Sequence, residues 1–72
     1  MDYFLLALKL GQSILDKLPD YDEKKRQKYH DLVRQYNNEI TKDYPERDDD
    51  LIMNLREEGS IMWQEIISHL KG

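Results

Sequence analysis

The chain contains no cysteine. That absence excludes disulfides, thiolate metal sites and cysteine nucleophiles together, and it fits a reducing compartment, so the expected location is cytoplasmic. Glycine is scarce: Gly11, Gly59 and Gly72 stand alone, which leaves no glycine-rich loop to cradle a phosphate. Long apolar runs are missing too. The run over residues 3–8 is ended by Lys9 after six residues, far below the roughly 20 needed to span a bilayer. With Asp2 before it and no basic residue, that run does not read as an export signal. Neither sign of charge dominates. Eleven basic and 15 acidic residues give a net charge of −4, and their interleaving leaves no broad basic face for duplex nucleic acid.

Seventy-two residues make one domain, residues 1–72, and a chain of this size buries only about 60% of its unfolded surface. Small folds commonly compensate with disulfides, metals or a second subunit. The first is excluded. For the second, the only histidines are His30 and His69. Glu65 and His69 share a helical face at i, i+4, but two ligands do not make a metal site. The stretch Asp20-Tyr21-Asp22-Glu23-Lys24 starts like a calcium loop and fails, because Lys24 stands at a ligand position and no glycine follows. Asp48-Asp49-Asp50 reads as a helix start rather than a cation site. No cofactor or metal is expected, and a homo-oligomer is the remaining way to stabilise the fold.

What is present is helical patterning divided by two prolines, Pro19 and Pro45, since a proline disfavours helix at the residue before it. The spacing predicts helices over about 3–18, 21–43 and 48–70, an all-α three-helix bundle with short, proline-marked connections. In the first, Lys9, Gln12, Ser13 and Asp16 form a narrow polar stripe in an otherwise apolar helix. The second opens with Asp20 as N-cap and Glu23 at N3, like a capping box, with Asp22 and Arg26 spaced for an i, i+4 pair. Its core stripe is Tyr29, Leu32, Val33, Tyr36, Ile40 and Tyr44. The third carries Ile52, Leu55, Gly59, Met62, Ile66 and Leu70, flanked by Leu51, Trp63 and Ile67. Gly59 either sits in a continuous helix that packs closely, or ends one helix before Ser60 caps another. The unbroken phase of the apolar stripe favours continuity.

Catalysis is not expected. Ser13, Ser60 and Ser68 lack a nucleophile-elbow context, and so short a chain has little room for a water-excluding pocket. Three features point to binding. Apolar side chains surround the first helix, so Phe4, Leu5, Leu6, Leu8 and Leu10 form a candidate oligomer or partner interface. Lys24, Lys25, Arg26 and Lys28 concentrate positive charge and form a candidate anion site, which Tyr21 or Tyr29 could extend by stacking on a base. Tyr29, Tyr36 and Trp63 are candidate aromatic anchors if exposed, and core residues otherwise. Two functions follow: a non-enzymatic, self-associating protein-interaction module that occupies a partner surface, or a binder of a phosphorylated nucleotide.

The order of features also resembles a family. An apolar first helix, Leu18-Pro19-Asp20-Tyr21, a Lys/Arg-rich second helix, then Arg47-Asp48-Asp49-Asp50-Leu51-Ile52-Met53-Asn54-Leu55-Arg56-Glu57-Glu58 together resemble small helical accessory proteins encoded by bacteriophages and prophages. The resemblance implies a non-catalytic virion accessory part or an inhibitor of a host process. A heterologous protein partner is the alternative to a second copy of the chain as the cover for the first helix.

Overall fold

Three aspartates each cap the start of a helix. A computed structural model describes residues 2–72 and contains α1 (Tyr3–Asp16), α2 (Glu23–Ile40) and α3 (Asp49–Lys71), with no strand among the described residues. Asp2, Asp22 and Asp48 precede them, and their carboxylates accept from the backbone N–H groups of Leu5, Lys24 and Leu51 at 3.0, 3.1 and 3.1 Å. Each satisfies a donor that the first helical turn would leave unpaired.

The helix ends differ from the sequence expectation, and local hydrogen bonds explain why. Asp20 is not the cap of α2. Tyr21 N–H donates to the Leu18 carbonyl at 3.2 Å, closing a turn with Pro19 at its second position, where proline's fixed φ belongs. That turn occupies 18–21, so the cap passes to Asp22. Its carboxylate is thereby engaged, and Arg26 pairs with Glu23 at 3.3 Å instead of with Asp22. At the other end of α2, the Thr41 hydroxyl bonds the carbonyls of Asn37 and Asn38, both at 3.0 Å. The helix stops at Ile40, and Tyr44, expected in the core, lies 81% exposed in the 41–48 connection.

Contacts between the helices fix their directions. Phe4 near the start of α1 packs at a tilt against Tyr36 near the end of α2, with ring centroids 5.3 Å apart, and Arg26 near the start of α2 bonds the carbonyls of Leu15 and Leu18 at and just past the end of α1; α1 and α2 are antiparallel. Arg56 lies over Phe4 and Trp63 reaches Ala7, so α3 runs parallel to α1. All three helices pack on one another around Leu8, Leu15, Tyr29, Leu32, Val33, Tyr36, Ile52, Leu55 and Ile66. The long dimension of 43 Å reflects α3, whose 23 residues span about 35 Å at 1.5 Å each.

α3 continues through Gly59 and Ser60. A Cβ at Gly59 would stand 3.1 Å from Leu8, 3.2 Å from Phe4 and 3.3 Å from Leu32, so the glycine lets α1 and α2 close against α3. Leu70, expected on the core stripe, is 53% exposed. The last turn of α3 lies beside the 17–22 connection rather than a helix, as the contact of His69 with Tyr21 shows. Among the described residues, no helix is long and apolar enough to cross a membrane.

Candidate interaction surfaces

α1 was read from sequence as too apolar for its own chain to cover, and the fold divides that surface. Leu8 is fully buried, and Phe4 and Leu5 are partly buried against the core. Leu8 is therefore a core residue and not part of an exposed interface. The reason is close helix approach. Gly59 admits Leu8 and Phe4, while a Cβ at Gly11 would overlap the Tyr29 hydroxyl and approach Trp63 Nε1 to 3.2 Å. Two glycines let the neighbouring helices cover more of α1 than helices of average separation would. What remains outside is Tyr3, Leu6 and Leu10, at 78, 47 and 58% exposure. Their spacing of three and four places them on one helical stripe, opposite the buried one.

Neither Tyr29 nor Tyr36 is a surface anchor. Burial pushes the Tyr29 hydroxyl up to a pKa of about 12, and it donates to the Leu8 carbonyl at 2.6 Å. Tyr36 donates to Asp2 Oδ2 at 2.8 Å and accepts from Arg56 Nε at 2.9 Å. Its own pKa is raised, first by burial. Burial also pushes Asp2 upward, but bonds from Leu5 N–H and the Tyr36 hydroxyl, with the Arg56 charge, outweigh it and hold the carboxyl below its usual range. Trp63 is half-buried with Nε1 donating to the Ala7 carbonyl at 2.8 Å, which fixes one edge of the ring to α1. Ile67 and Leu70, on the same face of α3, stay exposed.

The basic cluster does not act as one patch. Arg26 turns inward: its guanidinium donates to the carbonyls of Leu15, in the last turn of α1, and Leu18, just beyond it, each of which also accepts a backbone N–H. Lys25 pairs across to Glu65 on α3 at 3.9 Å. Lys24 and Lys28 remain exposed. Between α2 and α3 lies a cleft of about 240 Å³ whose lining includes Lys25 and Lys28 but also Glu58 and Glu65. Glu65 and His69, neighbours on one face of α3, take separate partners: Glu65 meets Lys25 and His69 faces Asp20 at 3.8 Å.

Two contributors escaped the sequence reading. Glu39 is buried at 5% exposure, accepting from the backbone N–H of Asp48 at 3.1 Å and from Lys42 at 3.2 Å. The Asp48 bond, chiefly, holds its pKa below the usual value. Its position three after Tyr36 on the core stripe was the available signal. Arg56 was the other. Nothing in its spacing announced that it would join Asp2, Tyr36 and Phe4, since those residues meet only when all three helices do. No family model matches the chain, and no curated protein or solved structure matches it.

Proposed function

We propose that this chain is a non-enzymatic interaction module that self-associates through the exposed stripe of α1, and that it acts in the cytoplasm as an accessory or inhibitory protein of the phage type. The observation that carries the reading is the pair Leu6 and Leu10, about half exposed on a helix whose opposite side is already committed to the core. Burying such side chains contributes about 25 cal/mol for each Å² of apolar surface removed from water. A membrane surface is a poorer cover, because Asp2, Lys9, Asp16 and Lys17 give α1 no cationic bias toward anionic lipid. A second copy of the chain needs no complementary surface to be supplied from elsewhere, since a two-fold contact places the same patch on both sides. Bundles formed by three helices of one chain become larger helical assemblies in this way, with the α1 stripes at the centre.

The basic cluster supports a nucleotide reading less well, since Arg26 serves the end of α1 and two glutamates share the cleft with Lys25 and Lys28. The test of the favoured reading is size-exclusion chromatography with light scattering on the parent chain and on Leu6→Glu/Leu10→Glu. The parent is expected to elute as a dimer or larger species, and the variant as a monomer with its helical content kept. Equal masses for both proteins would remove the α1 stripe from the account.

A further inference from the structure

We propose that the cleft between α2 and α3 binds a free α-amino acid with an apolar side chain. The argument stands on different residues from the α1 stripe and holds whether or not the chain self-associates. Its volume of about 240 Å³ lies below the roughly 300–1,000 Å³ of most drug-sized ligand sites, so a small body is required. The floor is apolar, with Leu15 fully buried and Met62 half-buried. The two walls carry opposite charge: Lys25 and Lys28 on α2, Glu58 and Glu65 on α3. Lys28 and Glu58 have no ion-pair partner among the described residues. Lys25 and Glu65 are paired, but at 3.9 Å with both side chains about half exposed, a pair weak enough for ligand groups to replace.

A polyanion is ill suited to such a site, because each charge it brings to the lysines is also brought to the glutamates. A zwitterion satisfies both walls. Its carboxylate accepts from the lysines of α2, its ammonium donates to the glutamates of α3, and its side chain covers the apolar floor. A neutral apolar ligand would leave Lys28 and Glu58 unanswered, and a simple anion would leave Glu58 so.

The experiment is calorimetric titration of the full chain with L-leucine, L-methionine and L-phenylalanine, beside N-acetyl-leucine, leucinamide and inorganic phosphate. At least one free amino acid is expected to bind saturably. Removing either ligand charge is expected to weaken binding about tenfold, as are Lys28→Gln and Glu58→Gln, each with unchanged helical content; such a loss corresponds to one charge-assisted contact. Absence of saturable binding by all three amino acids up to about tens of millimolar would overturn the proposal. So would equal binding of leucine and its two blocked derivatives, or binding of phosphate alone.

Discussion

Two glycines show how much a single missing Cβ decides. At Gly11 an added Cβ would overlap the Tyr29 hydroxyl, which is held by its bond to Leu8. Gly11→Ala is therefore expected to destabilise the fold by about 1–3 kcal/mol through overpacking. At Gly59 the nearest atoms are the far ends of Leu8, Phe4 and Leu32, at 3.1–3.3 Å, and alanine gains about 1 kcal/mol over glycine in a helix interior. Gly59→Ala is expected near neutral, while Gly59→Leu loses about 1–3 kcal/mol. Chemical denaturation of the three variants checks the order; equal stability for all three would contradict the close packing described. Tyr29 adds a pH dependence. Its folded pKa of about 12 lies above the ordinary value near 10, so the folded state holds the proton more tightly than the unfolded one. The associated stability is present below pH 10 and is lost as pH rises towards 12. Tyr29→Phe is expected to be less stable at neutral pH, having lost a buried hydrogen bond, yet to lose less on alkaline titration. An identical alkaline slope in both proteins would assign that loss elsewhere.

The helices were legible in the sequence and their ends were not. Apolar residues at spacings of three and four gave three helices, and most of the α2 stripe, Tyr29, Leu32, Val33 and Tyr36, lies in the core as that phase requires. The ends depend on single hydrogen bonds that periodicity does not report: Tyr21 to Leu18 before α2, and Thr41 to Asn37 and Asn38 after it. Side-chain partnerships between helices were harder still. Lys24, Lys25, Arg26 and Lys28 are neighbours in sequence, but Arg26 bonds the carbonyls of α1 and Lys25 meets Glu65 of α3, and neither destination is written in local spacing. At this scale the end of α1 supplies a test. Arg26→Gln removes the guanidinium from the Leu15 and Leu18 carbonyls, and such charge-assisted bonds contribute about 1.5–3 kcal/mol. A loss in that range by thermal unfolding, against little change for Lys24→Gln, is expected; similar effects of both would make Arg26 an ordinary surface cation. Glu39 supplies another. Its pKa is lowered in the fold, so its stabilising contribution is present above the ordinary glutamate value and is lost as pH falls through the folded one. Glu39→Gln is expected to remove part of the acid sensitivity, read as a smaller drop in melting temperature between neutral and acidic pH. An unchanged drop would show that Glu39 does not carry it.

For the whole molecule, the central question is how a short chain stabilises so apolar a first helix. The fold answers in two stages. Gly11 and Gly59 bring α2 and α3 close enough to bury Leu8 and to cover Phe4 and Leu5 partly, and the contacts of Gly11 with Tyr29 and Trp63 arise only between helices, where periodicity does not report them. Leu6 and Leu10 are left for contact outside the chain, and self-association is the reading of that contact proposed above. Sedimentation equilibrium of the parent chain over a rising concentration series tests it most directly. The account requires the apparent mass to exceed that of one 8.7 kDa chain at micromolar concentration and to climb with concentration towards a dimer or larger species. A single species of one chain's mass across the whole series would contradict it.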